Sequence, residues 1–208
     1  TNISLQRVTL LYEAMPAALV AGLGCALALV FVNWNLVPHD RLLAWLAYHV
    51  ILSAGRYGLA RSFTATRSAP ADIRHWDRVF LVGTTLAGLG WGASALLLFP
   101  ESSPAHQVFL AFVLGGVTAG AASTLAARFD AFLSFAIPML VPLILRFFTL
   151  DHDQALPMAI CTMLFSLLLV YTAHRTSNTV LETLRLKYHN AQLVDQLAGQ
   201  LQEGEQME

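Results

Sequence analysis

The chain has 208 residues, 56% of them hydrophobic and only 12% charged, with a formal net charge of −1. A soluble domain is about 25% charged, so these few charges do not cover a water-facing surface of this size. No secretory signal peptide is expected, because the first apolar run is too long and no small-residue cleavage site follows a basic start.

A bilayer core of about 30 Å takes about 20 apolar residues at 1.5 Å each. Six stretches have that length, at about 9–33, 41–61, 78–99, 106–127, 130–149 and 155–174. Lipid offers no partner to backbone N–H and C=O groups, so each span must be helical. The first span carries Glu13 and Pro16, and the second carries Trp45, Tyr48, His49 and Arg56. The third contains Gly88-Leu-Gly-Trp-Gly92 and the fourth Gly116-Val-Thr-Ala-Gly120. Small residues four apart let two backbones approach, and both motifs are expected to pack within the bundle. Pro138 and Pro142 in the fifth span each free a carbonyl and favour a kink. Cys25 and Cys161 lie in apolar runs, where thiols serve as core filler rather than as a disulfide or metal pair.

The charges orient these spans. One side receives Arg7, Arg61, Arg67, Arg74, Arg78, Arg128 and Arg175, and the other only Arg41 and Arg146. By the positive-inside rule both termini are cytoplasmic, which needs an even number of spans. Trp34, Trp45 and Trp76 fall at or near span boundaries, where amphipathic rings sit well.

The sixth span runs without a Pro or Gly break into a charged helix from Arg175 onward, and the end after Gly204 is expected to fray. Leu186, Asn190, Leu193, Leu197 and Gln200 form one seam of period 3.5. Val180, Leu184, Lys187, Ala191, Val194, Ala198 and Leu201 form a competing one. Neither is purely apolar, so the coil is weakly held and its two registers differ by only a few kcal/mol. The expected fold is therefore all-α: a six-transmembrane-helix bundle over 1–174, with its last helix continuing as a cytoplasmic coiled coil over 175–208 that pairs two copies.

Glu13 and Arg56 are the clearest ionisable residues within spans, at similar depth on antiparallel neighbours. An unpaired charge there costs at least about 2.5–3.5 kcal/mol, so an ion pair is expected, as a fastening or as a ligand-headgroup switch. His49, about 12 Å below the far surface at 1.5 Å per residue, belongs to the interior or to a ligand pocket with Trp91. A bis-His haem would need His49 and His174 at one depth, and they differ by roughly half the bilayer. The far-side loops hold His39, His106 and His152 beside carboxylates, a set that would suit Zn²⁺ or Cu²⁺ but lacks any metal-ligand spacing. Arg146 lies just below that surface, placed to snorkel or to hold the carboxylate of an amphiphile. Phe132, Phe135, Phe147 and Phe148 near it would line a lipid or fatty-acid pocket, or simply pack. The basic stretch around Arg61, Arg67, Arg74 and Arg78 lacks base-stacking aromatics apart from Trp76, so it reads as a topology signal and an anionic-lipid contact, not a nucleic-acid site. No catalytic set and no phosphate loop is discernible.

Several segments resemble the membrane-integral, MASE-like sensor domains of bacterial diguanylate cyclases and hybrid histidine kinases. They are Leu10-Leu-Tyr-Glu-Ala-Met-Pro16, Gly88-Leu-Gly-Trp-Gly92, Gln107-Val-Phe-Leu-Ala-Phe-Val-Leu-Gly-Gly116, Phe132-Leu-Ser-Phe-Ala-Ile-Pro138 and Leu184-Arg-Leu-Lys-Tyr-His-Asn-Ala-Gln-Leu193. The resemblance implies an input domain in the bacterial inner membrane. Its exit helix would drive a covalently linked cytoplasmic output, a GGDEF module making cyclic-di-GMP or else a histidine kinase. The rivals are a small transporter, which would need inverted repeats that spans 1–3 and 4–6 do not show, and a passive membrane anchor.

Overall fold

The computed structural model describes residues 2–65, 73–151 and 153–205. It is all-helical among these residues, with six helices: α1 (Asn2–Val32), α2 (His39–Ala65), α3 (Ile73–Leu97), α4 (Pro104–Thr124), α5 (Phe129–Phe148) and α6 (Ala155–Glu205). Among the described residues, five helices are long and apolar enough to cross a bilayer: α1, α3, α4, α5 and α6. The chain is a membrane protein on that ground. The remaining helix, α2, has 27 residues but is diluted by Asp40, Arg41, His49, Arg56 and Arg61.

The helix ends follow local chemistry. The turn after α1 closes on Asn33, whose carbonyl accepts from the Leu36 and Val37 amides before Pro38. Pro104 opens α4, where a missing N–H costs nothing. Gln107 is fully buried and donates to the Pro100 carbonyl (3.1 Å), which fixes the α3–α4 turn.

The bundle is knitted mainly by α3. Its contact with α5 is the most extensive between any two helices. Gly88 and Gly92, one turn apart, share the face toward α5. An added Cβ at Gly88 would lie 2.4 Å from the Phe135 carbonyl oxygen, and at Gly92 1.9 Å from that of Pro138. Pro142 has no N–H to return to the Pro138 carbonyl, so the freed oxygen faces the Gly92 backbone. Gly90 points the other way, against the Tyr48 ring of α2, which a Cβ would meet at 2.3 Å. The third-span glycine motif thus packs on two neighbours at once.

The fourth-span motif behaves differently from expectation. Only Gly115 has a neighbour, Phe165 of α6, while Gly116 and Gly120 would each accept a Cβ with nothing within 4 Å. Their lack of side chains leaves open space rather than a packing seam. Trp45 also departs from its expected place at the lipid boundary. It is 4% exposed and donates its indole N–H to the Gly90 carbonyl at 2.7 Å. That carbonyl is reachable because Gly90 brings the two helices together.

The unbroken α6 has 51 residues, about 75 Å at 1.5 Å per residue. Leu169, Ala173 and Ser177 are buried, and Val180 packs on the core. They form one stripe of helical spacing against the bundle, and half-buried Leu184 continues that spacing. Leu186 and Leu193 stand on other faces, 63% and 43% exposed, and Asn190 is exposed with them. Residues 206–208, where fraying was expected, lie outside the described residues, as does the Leu197 side chain.

Candidate functional site

A cavity of about 320 Å³ opens among α1, α2, α3 and α4, with Phe135 of α5 at its back. Helical periodicity explains its lining. His49, Ser53 and Arg56 on α2 are four and three residues apart and share a face, as do Phe80, Thr84, Ala87 and Trp91 on α3. Gly22 on α1 faces Gly116 and Gly120 on α4, and the missing side chains keep the cavity open. Ala17, Ala21, Gly116 and Gly120 are exposed as well as lining, so the mouth lies on the outer surface between α1 and α4.

The polar groups inside are few and incompletely partnered. Thr84 donates its hydroxyl proton to the Phe80 carbonyl at 2.9 Å, so only its lone pairs face the cavity. One of them accepts from Arg56 Nη2, at a long 3.4 Å. Arg56 Nε is buried without a partner. A guanidinium carries five N–H donors, and no ion pair among the described residues includes Arg56. His49 is 5% exposed, wedged between Trp45 (4.4 Å between ring centroids) and Trp91 (4.8 Å), and its Nε2 has no partner.

Of the residues singled out from sequence, His49, Arg56 and Trp91 meet in this cavity. Glu13 does not line it. Glu13 stands on an exposed part of α1, and Arg56 makes its contacts with Gly83 and Thr84 of α3 instead of the expected ion pair. Arg146 is at the far end, bonded to Glu101 and lying over the Phe99 ring at 5.1 Å. Phe147 beside it is fully buried packing and Phe148 is exposed, whereas Phe132, fully buried, lies about 21 Å away in the first turn of α5 and Phe135 lines the cavity, so the four rings do not gather around Arg146. His39 stacks on Trp34 and bonds its carbonyl at 3.0 Å, and His106 bonds Ser103 Oγ at 2.7 Å. Among the described residues no three His, Cys, Asp or Glu side chains gather as a metal site, and His152 lies outside them. His174 packs on Phe129 at 4.9 Å and is remote from His49.

Sequence reasoning missed Thr84, Ser53 and the small residues of α1. Thr84 had a signal, since it repeats on the face of Phe80, Ala87 and Trp91. The α1 wall had none, because alanines and glycines are spread around that whole helix.

At the end that holds Arg7, a second cluster ties three elements. Arg128 Nε and Nη2 clasp both Asp130 oxygens at 2.8 and 2.7 Å, and Nη1 bonds Asp77 of α3. The Asp130 carboxylate raises the Arg128 pKa above its ordinary value, Asp77 adds to this, and partial burial opposes it. Arg7 of α1 donates to the Ala127 carbonyl at 3.0 Å.

Comparison of the chain with family models, curated proteins and solved structures finds no match.

Proposed function

We propose that this chain is a membrane sensory input unit that passes a stimulus from its cavity through α6 to a cytoplasmic output. The supporting observation is α6 itself. One uninterrupted helix packs on α4 and α5 in its apolar half and runs on as a polar helix at more than twice the length a bilayer needs. A rigid helix carries a rotation or shift from one end to the other.

In this reading α2 is the sixth span. Its His49 and Arg56 turn to the cavity instead of the lipid, the arrangement that makes ionisable residues tolerable at depth. Six spans put both termini on the cytoplasmic side, the side of Arg7 and Arg128. Two copies pair through Leu186, Asn190, Leu193 and Leu197; of these Leu186, Asn190 and Leu193 are exposed, while Val180 of the competing seam packs on the core. The output is a GGDEF cyclase in the bacterial inner membrane, as the resemblance implies, with a histidine kinase as the alternative.

The test is a fusion of residues 1–208 to a diguanylate cyclase reporter, with one to seven residues inserted after Tyr188. Each insertion turns the output by about 100°. Cyclic-di-GMP production that rises and falls with a period of about 3.5 residues supports transmission through helix phase. Flat output across the series, and full output when an unrelated dimeric anchor replaces the bundle, would leave only a passive anchor.

A further inference from the structure

We infer that the cavity among α1–α4 binds a medium-chain carboxylic acid whose chain bears a second oxygen, entering sideways from the bilayer between α1 and α4. The inference deepens the sensory reading by naming the ligand class of its site.

The charge inside sets the head group. Among the described residues that line the cavity Arg56 is the arginine and there is no carboxylate, and the Arg56 Nε is buried and unpartnered. A guanidinium fork matches one planar carboxylate in charge and geometry. A cationic ligand would be repelled, and a phosphate dianion would bury an excess charge.

The walls set the body. They are alanine, glycine, leucine and aromatic surface, and the exposed small residues at the mouth leave a slot instead of a closed pocket. An apolar cavity of about 150 Å³ takes one benzene ring, so about 320 Å³ takes on the order of a dozen heavy atoms. That is one chain of about ten carbons, too little for a two-tailed lipid.

His49 sets the second polar point. It is 5% exposed, lines the same cavity and holds Nε2 without a partner. It lies seven residues before Arg56 on one face of α2, about 10 Å along the helix. A carboxylate at Arg56 therefore places the far end of a ten-carbon chain near His49, where a hydroxyl or carbonyl oxygen completes the imidazole. An unsubstituted chain leaves that nitrogen buried and unsatisfied.

The test is equilibrium binding of 10-hydroxydecanoate, decanoate and methyl decanoate to the full chain in phosphatidylcholine nanodiscs, with empty nanodiscs subtracted. Decanoate should bind roughly tenfold tighter than its methyl ester. The hydroxy acid should gain a further several-fold over decanoate. Arg56→Gln should erase the first preference and His49→Phe the second. Gly120→Leu fills open space, so it should abolish binding while the unfolding temperature holds. Equal affinity for acid and ester, or binding indifferent to Gly120→Leu, overturns the inference, and because ester and acid are compared on the native chain this holds even if a variant misfolds. An acyl tail of a bilayer lipid in the slot would give that same indifference to the head group. Specific binding with unchanged reporter output in the fusion keeps this site and sinks the sensory reading. Phase-dependent output without binding of either acid does the reverse.

Discussion

Gly92→Ala tests the closest helix contact in the bundle. The new methyl carbon would start 1.9 Å from the Pro138 carbonyl oxygen, about 1.4 Å short of an ordinary C–H···O separation of ~3.3 Å. The oxygen is backbone and cannot rotate aside, so α3 and α5 must part. A gap of 0.5–1 Å already forfeits a quarter to a half of the dispersion between facing atoms, and no hydrophobic force holds helices together in lipid. Overpacking of this kind costs about 3 kcal/mol at the upper end of its usual range. Alanine returns about 1 kcal/mol in helix propensity, leaving a net loss of about 2 kcal/mol. Gly88→Ala, 2.4 Å from the Phe135 oxygen, should lose less. Gly116→Ala meets nothing within 4 Å and should be neutral or up to about 1 kcal/mol more stable. Reversible unfolding in mixed detergent micelles, followed by circular dichroism, ranks the three. A Gly92→Ala protein as stable as Gly116→Ala would refute the α3–α5 approach.

Trp45→Phe removes the indole donor to Gly90 at 2.7 Å and should cost about 1 kcal/mol in the same assay; an unchanged midpoint would mean that the bond contributes nothing. Arg128→Gln breaks a bidentate pair and the tie to Asp77, at a side chain 16% exposed, and should cost about 1–2 kcal/mol. Arg146→Gln should cost under about 1 kcal/mol, since its partner Glu101 is 71% exposed; the reverse order of the two would show the Arg128 cluster to be solvated. In a Cys25→Ala, Cys161→Ala background, Leu186→Cys and Leu193→Cys should cross-link two copies in membranes on oxidation, while Leu184→Cys should not. Efficient cross-linking through Leu184 alone would assign the other seam.

The helical class, the bilayer-scale lengths and the uninterrupted run of α6 were legible in the chain. Hydropathy over 20 residues and the absence of Pro and Gly from 158 to 198 are local properties, and lipid admits no backbone but a helix in the spans. The intimacy of Gly88 and Gly92 was legible too, because a missing side chain at i and i+4 has a direct steric meaning. Which helix each one meets was not.

Rotation about each helix axis decided the rest. Hydropathy is nearly uniform around a membrane helix, so the sequence does not say which side faces lipid. Hence Arg56 and His49 turn toward α3 and the cavity while Glu13 stands outside it, and Trp45 lies in the core instead of at the interface. The same small-residue spacing packs tightly in α3 and leaves open space at Gly116 and Gly120, because α5 closes on the first while the cavity separates the second from α1. Two coil seams were degenerate along the chain, and only the fold shows that Val180, at the start of one of them, packs on the bundle. Local composition chose helices for the bilayer; only the mutual fit of their faces chose where the unsatisfied polar groups meet.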